Sequence, residues 1–210
     1  MNYLFTPPSL DDTIRLLRAW RFWALGALLG ALIGAALYYI APPPYRARAT
    51  VNMDFNLEQA WPQDTDRQQF YYLEREARKL EEIAWSDAVI QSVTDAFGET
   101  TVSQLRDEKL HLSQPAEAGW HFHADDRDPQ VAASLASAWA EAFVTKAQSE
   151  IDSGAINEFV KLEVTQSADL PVERRVPLGG YLLAGSVGFL SIAVLILLFI
   201  KPINSDAEKR

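Results

Sequence analysis

The chain has 210 residues, of which 28 are acidic and 19 are basic, so its formal net charge at pH 7 is −9. It contains no cysteine, which excludes a disulfide framework, a thiolate metal site and a cysteine nucleophile. This acidic balance is the opposite of what nucleic-acid binding requires, so we expect no nucleic-acid partner.

Residues 1–21 are predicted to form a cytoplasmic N-terminal end with a helix at the membrane interface. Ser9 and Asp12 have capping-box spacing, which favours a helix start. A transmembrane helix that begins early and carries a basic collar fits the same pattern. Apolar side chains share one face and basic ones lie elsewhere, as in interfacial helices: Leu10, Ile14, Leu17 and Trp20 against Arg15, Arg18 and Arg21.

Residues 22–41 are uncharged and predict the first transmembrane helix. A helix of this length crosses the roughly 30 Å apolar layer of a bilayer. The apolar stretch is longer than the core of a usual signal peptide, and three prolines follow it directly, so we expect it to be retained.

A second uncharged segment, residues 179–200, predicts another transmembrane helix before a cytoplasmic tail at 201–210. Both ends of the chain are therefore expected on one side of the membrane. Basic residues beside the ends favour the cytoplasm, although arginines also flank the other side of each segment. The basic residues near the ends are Arg15, Arg18, Arg21, Lys201, Lys209 and Arg210.

Small residues recur at every fourth position of both apolar segments. The first carries Gly26, Gly30 and Gly34, and such a stripe lets a second helix approach closely within lipid. We expect packing within a subunit and between subunits of a homo-oligomer; the alternative is that small residues are simply common in membrane helices. The second segment repeats the spacing with Gly180, Ala184 and Gly188.

Residues 42–178 are predicted to form one α+β extracytoplasmic domain, a small mixed sheet near the membrane packed by helices. Alternation of period two over 45–55 predicts a half-buried strand that follows the membrane helix without a linker. Because the last strand also adjoins a membrane helix, we expect it beside the first. The later strands are predicted at 109–113, 119–124 and 159–166, with a turn at Pro115.

Four helices are expected to cover this sheet. Ser86 and Gly98 are the residue types of a helix N-cap and a helix stop. Asp128 and Pro129 begin the longest helix in the same way. The predicted ranges are 66–84, 86–97, 101–107 and 128–151.

Titratable residues cluster without forming a catalytic or metal-binding pattern. His121 and His123 share a strand face, but spacing fixes no third ligand, so a solvated face is preferred to a metal site. Asp125, Asp126 and Asp128 lie where a helix begins and negative charge is favoured, and this interpretation is preferred to a calcium site. We therefore predict no catalytic residue, no metal, no cofactor and no enzymatic activity.

Four arginines flank the predicted membrane helices on the side of the domain. Arg46 and Arg48 share a face of the first strand, and Arg174 and Arg175 precede the second apolar segment. Together they would suit a lipid-linked diphosphate or an anionic polymer. Anchoring to lipid headgroups is the alternative.

Three sequence blocks occur in order around the two apolar segments: residues 10–12, 16–18 and 44–51; then Asp128-Pro129, Ala132-Ala133, Leu135-Ala136 and Phe143; then Ala168–Pro171 and Pro177. This order resembles the polysaccharide co-polymerases, the chain-length determinant (Wzz-type) family, over nearly the full length. The domain is too short for the tall helical protrusion of large members. The resemblance is therefore to the short capsule- or exopolysaccharide-type members without a fused kinase.

The resemblance implies a non-catalytic protein of the bacterial inner membrane that controls the chain length or export of a surface polysaccharide. That polymer would be lipopolysaccharide O-antigen, capsule or exopolysaccharide. The implied partners are membrane lipid, other copies of the chain in a ring, and a polymerase or export protein. An alternative is an adaptor that activates a tyrosine kinase. That kinase would be a separate protein, since the chain has no G-x-x-x-x-G-K loop of its own.

Overall fold

The computed structural model describes residue 14 and residues 16–60, 66–98, 100–113 and 119–199. It divides the chain into two units, which are described separately: unit 1 is Met1–Pro43 with Val176–Arg210, and unit 2 is Pro44–Arg175. Three predictions lie outside the described residues: the cap at Ser9 and Asp12, the turn at Pro115 and the basic tail 201–210.

The helices and strands follow the predicted order. They are α1 (Trp20–Ile40), β1 (Tyr45–Asp54), α2 (Leu57–Ala60), α3 (Asp66–Ala84), α4 (Asp87–Phe97), α5 (Val102–Gln104), β2 (Leu110–Leu112), β3 (Trp120–Asp126), α6 (Pro129–Asp152), β4 (Lys161–Gln166) and α7 (Leu178–Phe199). The short helix α2 was not predicted. A π-helical turn, Leu105–Lys109, replaces the predicted end of α5, and the other boundaries agree with the prediction to within two residues.

Two long apolar helices form unit 1. Both α1 and α7 are long and apolar enough to span a membrane. Residues 14 and 16–18 are also helical, and a turn at Ala19 separates them from α1. The helices pack antiparallel, since three glycines of α1 meet residues of α7 in reverse order: Gly26 with Ala193, Gly30 with Gly185, and Gly34 with Tyr181.

The glycine stripe of α1 packs against α7 within the chain. The residue of α7 that faces Gly30 is Gly185, which lies one position beyond the predicted stripe. Ala184 and Gly188 are exposed, and a Cβ placed at Gly188 meets no atom of the described residues within 4 Å beyond its own turn of helix. One step along a helix turns the side chain by about 100°, so the predicted stripe lies on another face of α7.

The sheet of unit 2 has the strand order β2-β3-β1-β4, and every neighbouring pair is antiparallel. The prediction of a mixed sheet was therefore wrong. The predicted pairing of the first and last strands is confirmed, since Val51 lies opposite Val164. Unit 2 begins and ends at one place, because Arg175 N–H donates to Pro44 O at 2.9 Å.

The core lies between the sheet and α6. Ala47, Ala49 and Val51 of β1 are fully buried, in the predicted alternation, and their small side chains let α6 come close. Trp139 of α6 fills the centre. Its ring lies 4.8 Å from that of Phe122 between centroids, and its indole N–H donates to Ala84 O at 2.9 Å, which satisfies a buried donor.

The predicted helix caps of unit 2 are confirmed. The Ser86 hydroxyl accepts from Val89 N–H, and Gly98 ends α4 with φ +61°, a conformation that favours glycine. The Asp128 carboxylate accepts from Gln130 N–H at the start of α6. These local signals are why the helix boundaries agree with the sequence.

We predict that Gly30→Leu separates α1 from α7, because a side chain at Gly30 collides with the Gly185 carbonyl. The measurement is disulfide formation between Tyr38→Cys and Tyr181→Cys, whose parent rings lie 5.5 Å apart. The chain has no other cysteine. We expect efficient crosslinking in the parent and little in Gly30→Leu.

Gly188→Leu is the matched control, since it adds the same bulk to open space. It should crosslink like the parent. Equal crosslinking in Gly30→Leu would show that this glycine does not determine the helix contact.

Candidate functional site

The outer face of the sheet, the one turned away from α6, carries the polar residues of interest. Cross-strand pairs place them in rows: Arg46 opposite Asp125, Arg48 opposite His123, and Thr50 opposite His121. His111 of β2 lies on the other side of His123. All three histidines of the chain therefore share one face, as do Arg46 and Arg48.

Asp125 lies at the centre of this face and is only 4% exposed. Arg46 binds it with two charged hydrogen bonds, Nε to Oδ1 at 2.6 Å and Nη2 to Oδ2 at 2.7 Å. Arg175 adds a third, Nη1 to Oδ2 at 3.1 Å. A buried carboxylate requires such partners, and a bidentate arginine is the strongest of them. One carboxylate thus joins β3, β1 and the last residue of unit 2.

The other two predicted arginines have different surroundings. The Arg174 guanidinium lies over the Tyr45 ring, 4.6 Å from its centroid. Arg48 is exposed, and its guanidinium forms no ion pair with any carboxylate that the structure describes. The four predicted cations are thus not equivalent, since Arg46 and Arg175 share the Asp125 carboxylate and Arg48 does not.

Two histidines lie beside Arg48. The rings of His121 and His123 are 6.1 Å apart between centroids. Thr50 Oγ1 lies 3.2 Å from His121 Nδ1, which fixes the orientation of that ring. His123 Nδ1 is buried and, within the described ranges, has no hydrogen-bond partner.

The imidazoles on this face are held in the neutral form. Burial, reinforced by Arg46, His121 and Arg48, lowers the pKa of His123 to about 4. Burial and Arg48 also lower the pKa of His121. Burial also lowers the pKa of His111, although the nearby Asp125 carboxylate opposes this shift. His111 Nε2 lies 3.3 Å from Asp125 Oδ2, but the two atoms are not aligned for a hydrogen bond.

Asp125, Asp126 and Asp128 have three different roles, whereas the sequence predicted that all three favour the start of a helix. Asp128 caps α6 as expected, but Asp125 is an ion-pair centre, and Asp126 binds Lys109 Nζ at 2.7 Å. Alternation along β3 was the available signal, since it places Asp125 on the same face as His121 and His123. No group of three or more potential metal ligands is present among the residues that the structure describes.

We predict that unit 2 loses stability as the pH falls from 7 to 5, in part through His123. The pKa of this residue is about 4 in the folded chain against 6.5 for an unperturbed histidine. The unfolded chain binds the proton first, so the free energy of unfolding falls as the pH drops through 6.5 towards 4. Urea unfolding followed by tryptophan fluorescence in mild detergent, at both pH values, measures the difference.

His123→Gln should reduce that difference, because the substituted side chain does not titrate. His121→Gln is the comparison variant and should keep most of it, since it retains His123. An unchanged pH dependence in His123→Gln would contradict the assignment.

The sequence was also compared with known proteins. No protein-family model matches the chain. No curated protein matches it either. Its function must therefore be inferred from its own residues.

Proposed function

We propose that the chain is a non-catalytic co-polymerase of the bacterial inner membrane that controls the chain length or export of a surface polysaccharide. Its partners would be membrane lipid, further copies of itself in a ring, and a polysaccharide polymerase or export protein. The observation that carries the proposal is the closed domain inserted between two apolar helices.

The ends of unit 2 support this arrangement. Tyr45 pairs with Arg174, and Arg175 N–H donates to Pro44 O, so the first and last residues of the domain are neighbours. Four residues separate α1 from β1, and two separate Arg175 from α7. A domain whose ends meet suits attachment to a pair of membrane helices.

The surface of α1 and α7 supports a location in the membrane. Large apolar side chains along both helices are exposed, among them Leu25, Leu32, Leu183 and Ile192. Lipid would remove the cost of exposing them to water, about 25 cal/mol per Å². The antiparallel packing brings the start of α1 and the end of α7 to one end of the pair, which suits two cytoplasmic termini.

The free stripe of α7 supports assembly. Gly180, Ala184 and Gly188 line an apolar groove of about 500 Å³ beside Ile33 and Leu37. Small residues at this spacing let a helix of another copy approach closely. The stripe of α1 would thus hold the hairpin together, and that of α7 would join subunits.

The test is complementation of a deletion strain, read as the length distribution of surface polysaccharide on a gel. The parent chain should restore the distribution. Gly188→Leu, which fills the groove, should fail to restore it and should reduce the oligomer size measured in mild detergent.

Gly179→Leu is the matched control, since its side chain also enters open space but lies outside the stripe. It should behave as the parent. A deletion that leaves the polysaccharide unchanged would contradict the proposal. If that deletion alters protein tyrosine phosphorylation instead, the kinase-adaptor alternative is favoured.

A further inference from the structure

We propose that Arg48, His121 and His123 form a binding site for a phosphate-type oxyanion on the outer face of the sheet. The site differs from the predicted set of four arginines, of which it keeps only Arg48. It rests on the proposed function only for the source of the anion.

The first observation is that, in the part of the chain that the structure describes, Arg48 pairs with no carboxylate. Arg46, two residues away on the same strand, shows the contrast, since Asp125 binds it at two atoms. The Asp125 carboxylate accepts from Arg46 and Arg175, while Arg48 lies opposite a neutral His123. An exposed guanidinium with free N–H groups is the side chain best suited to bind an oxyanion.

The second observation is that the neighbouring side chains are two imidazoles, each of which carries a ring N–H able to donate. His123 lies directly opposite Arg48, and such neighbours have Cβ atoms about 5 Å apart. Thr50 Oγ1 lies 3.2 Å from His121 Nδ1, and this contact fixes the orientation of that ring. Arg48 thus lies beside two imidazoles whose ring centroids are 6.1 Å apart, and its charge helps to lower the pKa of both.

The same arrangement disfavours a metal cation. A metal bound to His121 and His123 would lie beside the charges of Arg46 and Arg48, which also lower the affinity of His123 for a proton. Charge therefore favours an anion at this pair of histidines, for which the sequence pattern predicted a solvated face rather than a metal site.

Anion binding is coupled to protonation. The charged or titratable groups that face the two imidazoles are Arg46 and Arg48 on β1, His111 on β2, and Asp125 on β3, with Arg175 beside Asp125. Cations outnumber the single carboxylate, and a bound anion shifts the balance towards imidazolium. Affinity is therefore expected to rise as the pH falls.

The test is a sulfate titration of the full-length, untagged chain in phosphatidylcholine discs, followed by NMR of 13C-labelled histidine rings. Sulfate keeps its charge between pH 5 and 8, so any pH dependence belongs to the protein. The chain has three histidines, so the spectrum has three ring signals. We expect the signals of His121 and His123 to shift with saturation, more tightly at pH 5.5 than at pH 7.5.

Arg48→Gln should weaken binding at least about tenfold, the value of a charged hydrogen bond. Thr50→Val, which removes the hydroxyl that orients His121, is a second variant and should weaken it by a smaller factor. Arg78→Gln removes an exposed arginine from α3 and is the matched control, with unchanged affinity. Equal affinity in the parent and in both site variants, or equal shifts of all three rings, would overturn the proposal.

Two further arms identify the source of the anion. Pyrophosphate in phosphatidylcholine discs should reproduce the shifts if a free or carrier-linked phosphate is the ligand. Discs with phosphatidylglycerol should reproduce them without added anion if a lipid headgroup is the ligand. If neither arm reproduces the shifts, the proposal is overturned. No polysaccharide is present, so this outcome is independent of the deletion phenotype.

Discussion

The ion pairs of Asp125 are the interaction on which unit 2 depends. One buried carboxylate holds Arg46 of β1 by two bonds and Arg175, the last residue of the unit, by a third. Removing one partner of such a buried pair costs about 3–5 kcal/mol, a large share of the stability of a domain. The carboxylate thus connects the centre of the sheet to the place where the chain leaves the domain.

The same carboxylate determines the electrostatics of the outer face. Asp125 binds Arg46 and Arg175, whereas Arg48 pairs with no carboxylate of the described ranges and lies beside two neutral imidazoles. Arg174, held over the Tyr45 ring, contributes to the closure of the domain. Flanking arginines that look alike in the sequence therefore differ in role, two of them binding the buried anion and one facing solvent.

Periodicity and capping residues predicted most of the secondary structure, because both act over a few neighbouring residues. Ser86, Gly98 and Asp128 mark helix ends as expected, and the alternation along β1 matches its burial except at Thr50, which is buried as well. Long-range partners were beyond this reasoning. Glu76 lies among charged residues of α3, yet it is fully buried against Lys79 and the Asn157 backbone N–H. Contacts with Asp125 and Gly185 likewise depend on strand register and helix rotation.

Hydrogen exchange at the Arg175 backbone amide, which donates to Pro44 O, tests the role of Asp125 most directly. In the parent, this amide should exchange about as slowly as amides at the centre of β1. Asp125→Asn should accelerate its exchange about a hundredfold, the equivalent of about 3 kcal/mol. Asp87→Asn, which removes an exposed ion pair with Arg106, should leave it unchanged. Equal protection of Arg175 in Asp125→Asn and the parent would contradict the account.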